Sequence, residues 1–113
     1  MGVVSKGLGS PDETMRFDHG QMEVVTIGES TIRRSTFEPG WRWSESIKQI
    51  AKTDSCQVHH VGYLLSGTLH VAANDGGEAE IGPGDAYDIQ PGHEGWVVGD
   101  EAVVMIDFSG SVK

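Results

Sequence analysis

One cysteine and five histidines carry most of the chemistry open to this 113-residue chain. Cys56 stands four residues before His60 and two after Asp54. In extended backbone, residues two or four apart point the same way, so Asp54, Cys56 and His60 are expected to share one face. His59 then points to the opposite side, which suits an exposed or interface role. His70 reads as a surface residue. A thiol beside an imidazolium becomes a better nucleophile, because the cation favours the thiolate. The spacing around Cys56, however, supplies neither an orienting third group nor an oxyanion hole. Trp43, Tyr63 and Trp96 are candidate walls of a pocket, with Trp41 beside them.

These residues need a frame, and the chain reads as short strands divided by turns. Ser10-Pro11-Asp12-Glu13 has the signature of a helix start and predicts a short N-terminal helical turn. Strands are expected over residues 22–27, 31–37, 41–43, 58–65, 68–73, 78–81, 86–89, 96–98 and 103–107. In the 41–43 strand, alternation puts both indoles on one face. Asn74-Asp75-Gly76-Gly77 is a strong hairpin signal, since its residues tolerate positive φ. Residues 46–55 are polar and read as a loop with room for a helical turn. Turns recurring at this interval, with 16 glycines to make them, predict an all-β sandwich or barrel. Residues 1–20 read as an extension and residues 21–113 as the barrel domain.

Composition narrows the partners. Seventeen acidic against eight basic side chains give a formal net charge of −9, a surface that repels phosphate backbones and anionic membranes. No apolar run is long enough for a membrane span, and the N-terminus lacks a signal-peptide core. A single cysteine cannot form an internal disulfide, so a reducing cytoplasmic location is expected.

Two segments resemble a known family. Tyr63-Leu64-Leu65-Ser66-Gly67-Thr68-Leu69-His70-Val71 resembles the first cupin motif. Ile81-Gly82-Pro83-Gly84-Asp85-Ala86-Tyr87-Asp88-Ile89-Gln90-Pro91-Gly92 resembles the second. The resemblance spans roughly residues 37–108. It implies an antiparallel double-stranded β-helix, the jelly-roll barrel, and a homodimer that covers its sheet edges. Setting the end of the first motif on Gly67 places His60 at a ligand position and Asp54 and Cys56 at two others. In the second motif the ligand position falls on Gly95, and His93 is the nearest imidazole. The resemblance therefore implies a site of Cys56, His60 and His93, with Asp54 as a possible additional ligand. None of these positions holds the family's usual residue.

One thiolate, two imidazoles and a carboxylate form a set that zinc favours, with nickel, iron or copper as alternatives. The same imidazoles would equally serve as hydrogen-bonded lining of an empty cavity. Two functions follow as expectations. One is a metal-dependent enzyme acting on a small polar organic molecule, with Glu45, Asp54 or Tyr63 moving protons. The other is a non-catalytic small-ligand binding or sensor module without metal. Gly67, Gly84 and Gly92 are expected to be backbone positions, not chemistry.

Overall fold

The computed structural model describes residues 2–108. Nine strands run in the order β1 (Glu13–Phe17), β2 (Gly20–Ile27), β3 (Ser30–Phe37), β4 (His60–Ser66), β5 (Thr68–Ala73), β6 (Glu78–Ile81), β7 (Ala86–Ile89), β8 (His93–Val98) and β9 (Val103–Asp107). Two single-turn helices, α1 (Trp43–Ser46) and α2 (Lys48–Ala51), fill the long β3–β4 connection. A six-stranded sheet in the order β1-β2-β3-β9-β4-β7 is accompanied by a three-stranded sheet, β6-β5-β8. Every pairing between strands is antiparallel. This antiparallel arrangement agrees with the all-β barrel expected from the turn spacing and with the jelly roll that the family resemblance implies. No described helix is long and apolar enough to cross a membrane.

Alternation decides which side chains meet inside. Along β4 the inward positions are Gly62 and Leu64; along β8 they are His93, Gly95 and Val97; along β9 they are Val103, Met105 and Asp107. Leu64 and Val103 are fully enclosed. Their neighbours include Leu69, Val71, Ile81 and Ile89, so both sheets contribute to one core. Fully burying such a side chain contributes about 1.5–3 kcal/mol. Gly67 joins β4 to β5 with φ 78°, and a Cβ there would stand 2.4 Å from the Ala102 carbonyl oxygen. Gly84 and Gly92 also have positive φ, at 90° each, as expected of turn positions.

The N-terminal region differs from expectation. Residues Ser10 to Glu13 form no helical turn: the Ser10 amide closes a turn on the Gly7 carbonyl, and the chain enters β1 at Glu13. Asp12 makes the difference. Its amide donates to the Val24 carbonyl and its carboxylate accepts from the Thr26 amide, tying it to β2 instead of capping a helix. Phe17, partly buried, and Met15, exposed, both line the cavity, so the sheet begins within the stretch read as an extension. Residues 41–43 also form no strand. Arg42 makes one isolated bridge to Trp96, and Trp43 starts α1, although both indoles are buried as expected.

Candidate metal centre and its cavity

Main-chain pairing brings the candidate ligands together. His60 opens β4, His93 opens β8, and Cys56 lies on the segment that leads into β4. Cys56 and His93 form an isolated antiparallel bridge. The Cys56 amide donates to the His93 carbonyl at 2.8 Å, and the Gly92 amide donates to the Cys56 carbonyl at 2.7 Å. Cys56 Sγ lies 3.6 Å from His60 Nε2, and the two imidazoles meet edge to face with centroids 5.2 Å apart. One ligand atom from each of Cys56, His60 and His93 lies within 4.8 Å of the others. Tetrahedral zinc would hold such atoms roughly 3.3–3.8 Å apart, from bond lengths of about 2.0–2.3 Å, so a small inward adjustment closes the site.

Each imidazole is anchored through its other nitrogen. His60 Nδ1 lies 2.8 Å from the Asp107 carboxylate, and His93 Nδ1 lies 2.8 Å from the Gln90 carbonyl. A carbonyl only accepts, so His93 Nδ1 carries a hydrogen, and Nε2 is the nitrogen turned toward the cluster. Asp107, buried on β9, also accepts from the Tyr87 hydroxyl, which lies 3.1 Å from the Ile106 carbonyl oxygen. That reach depends on Gly62. In the sheet register Gly62 sits between Tyr87 on β7 and Asp107 on β9. A Cβ there would meet the Tyr87 hydroxyl at 2.7 Å and the Ile106 carbonyl oxygen at 1.9 Å. The absent side chain is the gap that the phenol crosses.

The charges of the cluster follow from these contacts. Burial opposes ionisation of the Cys56 thiol, but hydrogen bonds to His60 and His93 outweigh it and bring the thiol down to about 6. Burial likewise opposes a charged His60, yet the Asp107 carboxylate and the thiolate push that imidazole up to about 9. Near neutral pH the metal-free pair is therefore a thiolate beside an imidazolium. Burial, with the neighbouring Asp107 carboxylate, raises Tyr87 far above the usual phenol range and keeps it protonated.

The cluster lines a cavity of about 550 Å³. Its wall is mostly apolar, with Phe17, Phe37, Trp41 and Trp43 among its larger side chains and Arg33 as its one Lys or Arg. Arg33 stands directly opposite Asp107 in the β3–β9 register. The polar groups of the wall gather around the cluster, and the rest of it is apolar.

The other sequence candidates lie elsewhere. The Asp54 side chain is fully exposed, 3.9 Å from Lys48 Nζ, and does not join the cluster. Trp43 lines the cavity, but Tyr63 and Trp96 do not. Tyr63 is exposed, and Trp96 stacks between His70 and the Arg42 guanidinium. The alternation that places His60 and His93 inside puts both on the other face: Tyr63 is an odd step from His60, and Trp96 is an odd step from His93. Glu45 is exposed and outside the cavity lining. His59 is exposed as expected and bonds Asp88 at 2.6 Å. His70 is half-buried instead of free at the surface, with Nε2 2.7 Å from Glu78. Asp107 and Tyr87 are the functional residues that spacing around Cys56 missed. The inward parity of Val103, Met105 and Asp107 is the signal that reveals Asp107, since it sets a carboxylate facing a core.

No family model matches the sequence, and no curated protein matches it. Solved structures do match in fold. A cupin-like protein from Thermotoga maritima is 18% identical, with TM-score 0.58, over 85% of this chain and 72% of that one. A cupin-2 domain protein from Rhodospirillum rubrum is 18% identical, with TM-score 0.57, over 95% of this chain and 68% of that one. The polyketide cyclase RemF from Streptomyces resistomycificus is 15% identical, with TM-score 0.53, over 81% of this chain and 66% of that one.

Proposed function

We propose that this chain, which has the cupin fold, holds one divalent transition metal on Cys56 Sγ, His60 Nε2 and His93 Nε2 and encloses a small organic molecule beside it. Zinc suits the donor set best, with nickel, iron or copper as alternatives. One observation carries the reading: Asp107 and the Gln90 carbonyl engage the Nδ1 atoms of the two imidazoles, which leaves both Nε2 atoms for the space beside the thiolate. Outer partners of this kind fix ring orientation and raise ligand basicity. Three protein ligands leave a fourth position for water or ligand, as in catalytic sites.

A bound ion would supply Lewis-acid polarisation of a ligand oxygen. The chain supplies the rest. Asp107 holds His60 in place, Tyr87 holds Asp107, and the apolar wall excludes water from the contact. Elemental analysis of protein purified without an affinity tag tests the reading. About one ion per chain is expected, lost in His60→Ala and Cys56→Ala; no ion in the parent protein overturns it. Turnover that disappears with chelator separates an enzyme from a binding module.

A second reading rests on the line from Cys56 through His60 to Asp107, with spacings of 3.6 Å and 2.8 Å. This supplies the orienting third group that the sequence spacing lacked, and it makes the metal-free thiolate a candidate nucleophile. Metal-free protein should then alkylate at Cys56 with iodoacetamide, with a midpoint near pH 6. Added zinc should block that reaction. An ordinary thiol profile in metal-free protein removes this reading.

A further inference from the structure

Ser35 carries a polar group in the middle of the sheet's inner face. In the register of β2, β3 and β9 it stands between Met22 and Met105, and along β3 it shares its face with Arg33 and Phe37. All five side chains line the cavity. Ser35 is only 6% exposed, and its hydroxyl makes no hydrogen bond among the described residues. Among those residues the Trp41 indole nitrogen is the one buried side-chain polar atom that is both unpaired and sealed off. The Ser35 hydroxyl is therefore unpaired but not sealed, and the space it opens on is the cavity. Its cross-strand neighbours cannot satisfy it, since a methionine thioether is a weak acceptor and no donor. Buried polar groups are almost always paired, so the missing partner belongs to whatever fills the cavity.

We propose that the cavity binds an apolar-bodied molecule carrying a carbonyl or hydroxyl oxygen, and that this oxygen pairs with the Ser35 hydroxyl. This deepens the preceding reading by naming the ligand class; it rests on the same cavity but not on the metal. The apolar body follows from the surroundings of the hydroxyl, where Met22, Met105 and Phe37 flank it and Phe17 and Trp43 continue the wall. Burying such surface against the ligand is favourable in proportion to its area. The oxygen follows from Ser35 itself, because a hydrocarbon would fill the space and leave the hydroxyl unpaired. A cavity of about 550 Å³ lies within the size range of small-molecule pockets.

The test uses the full chain and two probes of similar shape, tetralone and tetralin, which differ by a carbonyl oxygen. Calorimetric titration should show tetralone binding roughly fivefold tighter than tetralin, about the worth of one net hydrogen bond. Ser35→Ala removes the hydroxyl and little else, so it should erase that preference while tetralin affinity holds. The same variant gives a second reading without any ligand. Its melting temperature should equal or exceed that of the parent, because no bond is lost and a buried polar group is removed. A hydroxyl already paired within the protein would lower the melting temperature on removal. Equal affinities for the two probes in the parent, a preference that survives Ser35→Ala, or a clear fall in the variant's melting temperature overturns the proposal. Zinc content measured on the same samples separates the two readings. Tetralone preference without zinc sinks only the metal centre, and stoichiometric zinc without that preference sinks only the ligand class.

Discussion

The Asp107 carboxylate lies 2.8 Å from Nδ1 of His60, although 47 residues separate the two in sequence. Strands β4 and β9 pair directly, so the sheet register itself delivers the acid to the imidazole. Asp107→Asn keeps the shape and removes the charge. Zinc affinity should fall about 10–100-fold, the usual cost of losing an outer partner of a ligating histidine. Competition titration against a chromophoric chelator checks this, and unchanged affinity would separate Asp107 from the site.

Zinc binding should strengthen as pH rises. With His60 raised to about 9 and Cys56 lowered to about 6, a metal arriving between those values finds a thiolate already formed but must displace the His60 proton. Affinity should climb by about tenfold per pH unit across that window, one proton being released per ion. Below about 6 the thiol is protonated too and the dependence steepens. A pH-independent affinity between about 6 and 9 would mean that His60 is not a ligand.

Stability of the metal-free protein should respond differently. The raised His60 pKa contributes stability that is complete below its ordinary 6.5 and lost as pH rises through about 9. The lowered Cys56 pKa contributes stability that is complete above its ordinary 9.0 and lost as pH falls through about 6. Across the shared window the two trends oppose, because folding in effect moves one proton from sulfur to nitrogen. The melting temperature should therefore change little from this pair between about pH 6 and 9. Cys56→Ser removes one trend, and its melting temperature should fall with rising pH relative to the parent. Parallel profiles for the two proteins would count against the thiolate–imidazolium pair.

Gly62→Ala should destabilise the fold by about 2 kcal/mol or more. Its Cβ would overlap the Ile106 carbonyl oxygen at 1.9 Å, and rigid backbone cannot yield as a side chain can. The melting temperature measures the loss. Tyr87→Phe distinguishes packing from polar contact: it keeps the ring over Gly62 and removes only the hydrogen bond to Asp107. Its cost should be smaller, about 1–3 kcal/mol for leaving one buried acceptor less satisfied. An alanine at position 62 without effect would show that the β4–β9 register is misplaced.

The fold was largely legible because alternation and turn residues act locally. Strands β4 to β9 follow from runs such as Ala86–Ile89 between Gly84 and Gly92, where each residue declares its side. β1 was not legible, since Ser10-Pro11-Asp12-Glu13 satisfies the local rules of a helix start and only the long-range bonds of Asp12 to Val24 and Thr26 override them. The site divides the same way. Cys56, His60 and His93 come together as their positions around Gly67 and Gly92 imply. Asp54 fails because the chain turns over residues 52–55, so parity counted back from His60 stops at the bridged Cys56. Asp107 and Tyr87 were hidden because their meeting depends on which strands neighbour one another, a property of topology rather than spacing.

The phenol of Tyr87 passes over a backbone position that has no side chain, and this ties two distant codons together. Position 62 can accept a Cβ only if the group crossing it withdraws, and position 87 can carry a long polar ring only while position 62 stays empty. In the divergence of such sequences, a tyrosine at position 87 should therefore occur only beside a glycine at position 62, while the Ile106 carbonyl holds position 62 to glycine whatever stands at 87.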